Sequence, residues 1–178
     1  MIEIEVKARA SHRFLRERLA AMGAKPEGIQ EHLDTYYNSP VRDFSTTDEA
    51  LRIRSVNGRS VLTYKGKKLD SVSKTRPEFE TEVDGDSARR ILIALGFFES
   101  GVVRKKREVF SYQNMTIALD SVEGLGEFIE VEKQADCNIE KYCDEIFAFL
   151  EGLSIRKEDS IRTSYLEMMM MEKEKEKN

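Results

Sequence analysis

In segment after segment, this sequence alternates between apolar and charged residues with a period of two. Ile2-Glu3-Ile4-Glu5-Val6-Lys7 sets the pattern, placing Glu3, Glu5 and Lys7 on one face of a strand and Ile2, Ile4 and Val6 on the other. That period suits a pleated strand with one packed face and does not build the apolar stripe of a helix. Further strands are expected at about 30–38, 50–56, 60–66, 76–84, 102–111, 114–121 and 127–133, which with the first makes eight. Asn57-Gly58 supplies the two residues that tolerate the positive φ of a tight hairpin turn. Helices are fewer. Ser11 starts one that carries Leu15, Leu19 and Met22 and ends at Gly23; Asp86 or Ser87 caps a second, ending at Gly96; Asn138 caps a third, running to about Glu151; Asp159 or Ser160 starts a last one through Tyr165.

The charged strand faces add up to an unusual set: Glu3, Glu5 and Lys7; Arg52 and Arg54; Lys65; Arg76, Glu78, Glu80 and Glu82; Lys105 and Arg107; Asp120; Glu130 and Glu132. Any one of them suits an antiparallel sheet with a solvated side. The amphipathic helices, however, need an apolar surface to cover their stripes, and the apolar strand faces are the only ones large enough. The charged faces then point away from the helices. Eight antiparallel strands can close into a barrel and remove their exposed edges, in which case the face opposite the helices is the interior. Charge would line a tunnel. Partly desolvated charges are costly unless paired or bound to ions, so such a tunnel asks for a highly charged occupant. A triphosphate would engage Lys and Arg directly, while clustered carboxylates bind Mg²⁺ or Mn²⁺ that hold the phosphates in turn.

Composition narrows the function classes. At 178 residues, 40% hydrophobic and 35% charged, the chain has the size and apolar content for one packed domain. Lys and Arg number 29 against 33 Asp and Glu, a formal charge of −4, which gives no general basic field for nucleic acid. The amino end carries charges where a secretion signal needs an apolar run, and no stretch approaches the roughly 20 apolar residues that span a bilayer. The expectation is a cytoplasmic protein with no membrane partner. Cys137 and Cys143 have no metal-spaced histidines nearby and read as reduced thiols on a helix; His12 and His32 are too few for a His-based metal site.

Glu3-Ile4-Glu5-Val6-Lys7 resembles the ExExK signature of the CYTH superfamily, the triphosphate tunnel metalloenzymes, which include class IV adenylyl cyclases, thiamine triphosphatases and inorganic triphosphatases. Alone this signature is weak, since any amphipathic strand can contain it. A series of further motifs follows in the family's order: Asp34-Thr35-Tyr36-Tyr37, Leu51-Arg52-Ile53-Arg54, Tyr64-Lys65-Gly66, Arg76-Pro77-Glu78-Phe79-Glu80, Lys105-Lys106-Arg107, Leu119-Asp120, and Gly126-Glu127-Phe128-Ile129-Glu130-Val131-Glu132. The resemblance covers residues 2 to about 166 and is closest to archaeal and bacterial homologues of the class IV cyclases and thiamine triphosphatases, although Tyr37 stands where Phe is common.

The resemblance implies an α+β fold, a closed eight-stranded antiparallel β-barrel with helices packed outside, and a domain at 1–167 followed by a helical end and solvated tail at 168–178. It implies metal ligation by Glu3, Glu5, Asp120, Glu130 and Glu132, with Glu80 as a further candidate, and phosphate binding by Lys7, Arg52, Arg54, Lys65, Lys105 and Arg107. Arg76 and Glu78 share a strand face and could act on the substrate or pair with each other, and Arg162 with Ser164-Tyr165 resembles the family's end, where a helix approaches the tunnel mouth. The implied function is a metal-dependent enzyme acting on a nucleoside triphosphate, thiamine triphosphate or inorganic triphosphate with Mg²⁺ or Mn²⁺. Hydrolysis is the first reading, adenylyl cyclase activity the alternative, and a non-catalytic polyphosphate or nucleotide binder a third; a homodimer stays open.

Other patterns carry less. Gly124-Leu125-Gly126 is a turn, since no GxxxxGK[ST] occurs. His32 and Asp34 share a strand face with no nucleophile beside them, which favours a structural hydrogen bond over a catalytic dyad. In Arg104-Lys105-Lys106-Arg107, alternation sends Arg104 and Lys106 outward and Lys105 and Arg107 inward, which divides an apparent basic patch. Met168 to Met171 points all round a helix, with core filling as the default and half facing solvent, and the alternating charges of 172–178 need no partner.

Overall fold

Alternation becomes eight strands: β1 Ile2–Arg9, β2 Lys25–Asn38, β3 Ala50–Val56, β4 Arg59–Lys65, β5 Glu78–Val83, β6 Phe98–Tyr112, β7 Met115–Val122 and β8 Gly126–Ala135. The computed structural model describes residues 2–68, 76–135 and 139–175, without the side chains of residues 2, 3 and 135. Cys137 and Asn138, and the side chain of Glu3, therefore lie outside the described residues. All pairings are antiparallel, in the order β1-β8-β7-β6-β2-β3-β4-β5. The turn between β3 and β4 has φ of 50° at Asn57 and 80° at Gly58, the positive pair expected of that dipeptide. β2 and β6 are longer than their apolar patterns suggest, because a register shift near Pro26 and Gly28 lets β2 continue pairing beyond its alternating part.

Glu5 and Lys7 of β1 and Glu78 and Glu80 of β5 line one cavity although they sit at opposite ends of the strand order, so the sheet is curled around it. The expected closure by hydrogen bonds is not found: among the described residues β1 and β5 do not pair. The outer edge of β1 is instead taken by the chain's own C-terminal segment. The Ile161 amide donates to the Lys7 carbonyl at 2.6 Å, and Ala8 bridges Ser160. Local pairing satisfies a backbone that closure would otherwise have to satisfy.

On the outer face, α1 (His12–Met22) and α4 (Ile139–Gly152) cover β1, β7 and β8. Leu15 and Leu19 of α1 and Ile146 and Leu150 of α4 pack with Ile4, Val6, Ile117 and Val131. Phe44 of the short α2 (Phe44–Thr47) and Ala88 and Leu92 of α3 (Gly85–Ala94) cover Tyr37, Leu51 and Ile53. The cap of α3 is Asp84, whose side chain accepts from the Ser87 amide, rather than Asp86 or Ser87. α1 ends as expected, with Gly23 left-handed at φ 82°.

α5 (Tyr165–Lys175) departs from the expectation in two ways. It starts later than Asp159 or Ser160, which belong to a 3₁₀ turn at Lys157–Asp159 and the extended residue after it. Its start is fixed by a reciprocal cap, in which the Glu167 amide donates to Ser164 Oγ and the Ser164 amide donates to Glu167 Oε2. It also packs on Val103, Val122 and Phe128, which share strand faces with Lys105, Asp120 and Glu130. One end of the inner face is thus apolar, and α5 covers it rather than the outside. Met168 and Met169 join that packing while Met170 and Met171 are exposed.

Replacing Leu150 by Ala should lower stability by about 2–5 kcal/mol through the cavity left between α4 and the sheet. Denaturant unfolding measures this; the cation-lined cavity, on the opposite sheet face, should keep its ligand affinity.

Candidate functional site

The inward strand faces meet in a cavity of about 290 Å³. Lys7 is only 1% exposed and Asp120 0%, burial that charged side chains reach only when paired. Two aspartates do much of the pairing. Asp34 of β2 accepts from Arg54 Nε at 2.7 Å and Arg54 Nη2 at 2.6 Å, and Arg52 Nη1 lies 3.5 Å from its Oδ2. The register explains this, since Asp34 stands directly opposite Arg54 on β3. Asp120 of β7, directly opposite Arg107, accepts from Arg107 Nε at 2.7 Å and Nη2 at 2.7 Å, and from Lys105 Nζ at 2.8 Å. The Tyr165 hydroxyl donates to the same carboxylate at 3.0 Å. These are forked, charge-assisted contacts that fix guanidinium planes.

Beyond Arg107 lie the acidic residues. Its Nη2 also hydrogen-bonds Glu130, and Nη1 lies 3.5 Å from Glu132. Glu5, Glu130 and Glu132 each offer a carboxylate oxygen within 4.8 Å of the others. Glu5 and Glu132 are register partners and Lys7 faces Glu130, so the β1–β8 pairing converges these groups. Glu3 shares the strand face of Glu5 but its side chain is outside the described residues. Three hard oxygen donors at this spacing fit Mg²⁺ or Mn²⁺. Asp120 and Glu80 are not in that group. The carboxylate oxygens of Asp120 are engaged by Lys105, Arg107 and Tyr165, while Glu80, 50% exposed at its side chain, accepts from Thr63 on the far side of the cavity.

That far side forms a second charged group. Lys65 donates to Glu78 at 2.6 Å, and Arg52 Nη2 lies 4.0 Å from Glu78 and 3.9 Å from Glu80. Glu78 thus pairs with Lys65 and Arg52. Arg76 and Arg162 line the cavity, as do the uncharged Asn38, Ser45, Leu166 and Met170. Arg104 and Lys106 are exposed while Lys105 and Arg107 are buried, so the division of the basic run holds.

The sequence reading does not give Asp34 its role as an anchor or foresee the buried Arg52 Nε, although alternation pairs Asp34 with the inward arginines. It brings Ser164-Tyr165 near the cavity through the family resemblance, and the bond of the Tyr165 hydroxyl to Asp120 is what the structure adds.

Burial alone would push the Asp34 carboxyl up, but the Arg54 fork and the charges of Arg52, Arg54 and Lys105 leave it well below the usual range. His32, 6% exposed, is a structural contact as expected, its Nε2 lying 2.7 Å from Gln30 Oε1. Burial first, then Arg54, Lys105 and Arg107, push its imidazole down to about 3.

A family model described as the CYTH domain matches residues 1–165. The chain belongs to the CYTH family. A Methanocaldococcus jannaschii protein carrying a provisional adenylate cyclase name is 41% identical over 172 residues, covering 94% of this chain and 98% of that protein. A solved structure from Pyrococcus horikoshii OT3 matches this CYTH chain with a TM-score of 0.88 at 39% identity, over 96% of this chain and 99% of that one. A Hippeastrum protein described as having a dominant triphosphatase activity is 22% identical, with a TM-score of 0.65 over 86% of this chain and 88% of its own. At that identity the likeness is one of fold. No helix among the described residues is long and apolar enough to cross a membrane.

Because the imidazole of His32 is held neutral in the fold, its contribution to stability should be constant above pH 6.5. That contribution should fall as the pH drops from 6.5 toward 3, where the unfolded chain takes a proton that the folded chain refuses. The slope is at most about 1.4 kcal/mol per pH unit. Denaturant melts between pH 7 and pH 5 should show it, and His32→Gln should flatten it.

Proposed function

We propose that this CYTH protein is a metal-dependent enzyme that hydrolyses the triphosphate chain of an organic or inorganic triphosphate. The observation that carries the reading is the meeting, in one cavity, of cations from β1, β3, β4 and β6 with the carboxylates of Glu5, Glu130 and Glu132. A pure polyanion binder gains nothing from converging carboxylates, which repel its ligand unless a cation occupies them; this argues against a non-catalytic module. Glu5, Glu130 and Glu132, with Glu3 on the same strand face, are the proposed metal residues, and Asp120 and Glu80 are assigned to anchoring instead. A bound Mg²⁺ or Mn²⁺ supplies charge neutralisation on phosphate oxygens and a water of lowered pKa.

Lys7, Arg52, Arg54, Lys65, Lys105 and Arg107 are the proposed phosphate-binding residues. Phosphoryl transfer asks little covalent chemistry of a protein and depends on positioning and on stabilising charge at the phosphate oxygens. Asp34 and Asp120 supply the positioning, since the forks of Arg54 and Arg107 are already oriented. Lys105 is pushed down by burial and by Arg107 and Arg54, against the pull of Glu130 and Asp120. A phosphate beside it favours its charged form. Arg76 and Arg162, also on the cavity wall, are proposed to meet the outer end of the substrate.

Adenylyl cyclase activity is the second reading. It is supported by the apolar cavity residues Leu166 and Met170, which give an organic head group such as adenine a surface that inorganic triphosphate does not need. The name carried by the Methanocaldococcus jannaschii relative points the same way.

Incubation with ATP, thiamine triphosphate and inorganic triphosphate under Mg²⁺ or Mn²⁺, with separation of products, decides between them. The proposal expects orthophosphate from at least one substrate; cyclic AMP with pyrophosphate would replace it by the cyclase reading. Glu130→Gln and Glu132→Gln should each abolish turnover and weaken Mn²⁺ binding, because each keeps size and removes an anionic ligand; the melting temperature should change little for Glu132→Gln and fall for Glu130→Gln, which also breaks the buried pairing with Arg107. Full activity of both variants at low metal would defeat the metal assignment.

A further inference from the structure

Part of the cavity wall is built by the C-terminal segment. Tyr165, the first residue of α5, is buried, and its ring carries two ammonium groups. Lys7 Nζ lies 4.1 Å and Lys105 Nζ 5.1 Å from the ring centroid. Like-charged groups held close in a desolvated space repel, and a ring face is the neutral surface that attracts both. Phe128 braces the ring edge-on at 5.0 Å.

The hydroxyl has a separate task. It donates to Asp120 Oδ2, the oxygen that also takes Lys105 Nζ and Arg107 Nη2. Burial, Glu130, Asp120 and Glu5 push the hydroxyl's pKa up, so it keeps its proton and serves as a donor, not a base. The neighbouring backbone completes the hold, since the Thr163 carbonyl accepts from Lys7 Nζ at 2.6 Å. Leu166, the next residue, seats where Gly101 has no side chain; a Cβ there would stand 2.4 Å from Leu166 Cδ1. Together with the Ser164–Glu167 cap, this holds the backbone on both sides of Tyr165.

We propose that Tyr165 is a positioning residue of the phosphate site: its ring steadies Lys7 and Lys105, its hydroxyl steadies Asp120, and both groups are thereby presented to the same triphosphate. The inference rests on the reading of the cavity as a triphosphate site, and goes beyond it by making the C-terminal segment a working part of that site.

The test compares wild type, Tyr165→Phe and Tyr165→Leu. Calorimetry without added metal gives the dissociation constant for inorganic triphosphate, melting curves without ligand give stability, and steady-state kinetics with metal give kcat and KM. The Phe variant keeps the ring and loses one oxygen; its affinity should weaken about tenfold, and its melting temperature should fall modestly, because the buried bond from the hydroxyl to Asp120 is lost as well. KM should rise in step, with kcat changing less. The Leu variant, losing ring and hydroxyl, should weaken binding further, roughly a hundredfold. A wild-type dissociation constant in the Phe variant overturns the proposal, whether or not the Leu variant folds. A lowered melting temperature with unchanged affinity in both variants does the same, by making Tyr165 structural only. Failure of the wild type itself to bind triphosphate is a different result, and removes the reading of the cavity on which the proposal stands.

Discussion

Asp34 and Asp120 each hold two cations in a space nearly closed to water, and the rest of the site depends on these pairings. Taking an arginine or lysine out of water costs several kcal/mol, which is recovered only when its donors meet well-placed acceptors. Asp34 meets Arg54 in a fork and Arg52 at longer range; Asp120 meets Arg107 in a fork and Lys105 through one oxygen. Both arrangements follow from strand register, because each aspartate stands directly opposite the arginine it grips. A one-residue slip in either pairing would move its aspartate to the outer apolar face. The charges therefore specify the fold as much as the fold buries the charges.

The same logic sorts the carboxylates into an anchoring set and a converging set. Asp34, Asp120 and Glu78 spend their oxygens on cations of neighbouring strands, whereas Glu5, Glu130 and Glu132 converge on each other across the β1–β8 pair. Arg107 links the two sets, reaching from Asp120 to Glu130 and Glu132. Removal of one member should thus be felt by the others, and effects of paired substitutions within this network are not expected to add.

Much of this was legible in the sequence. Alternation alone gave the strands and sorted Lys105 and Arg107 from Arg104 and Lys106, because side chains on a pleated strand have only two directions to take. Asn57-Gly58 gave its turn because few residues tolerate two positive φ values. What escaped was non-local. That Asp120 anchors cations while Glu130 stays with Glu5 depends on which strands are neighbours, and strand order is not written in periodicity. The open β1 edge, filled by residues 160–161, belongs to the same class. The start of α5 was placed too early for a local reason: Asp159-Ser160 and Ser164-x-x-Glu167 both look like helix starts, and only the second has the reciprocal partner three residues on. Its packing on the inner face followed from Val103, Val122 and Phe128, apolar residues on strand faces otherwise read as charged.

The central claim is that the buried charges form a site shaped for a chain of phosphates and are not merely ion pairs holding a curled sheet together. Calorimetric titration with monophosphate, pyrophosphate and inorganic triphosphate, at one ionic strength and without added metal, addresses it most directly. If cations on β1, β3, β4 and β6 act together on one ligand, each added phosphate should tighten binding by about tenfold or more, since each brings new charge-assisted contacts. Equal affinity for all three anions, or no binding of triphosphate, would contradict the account and leave the network as structural ion pairs.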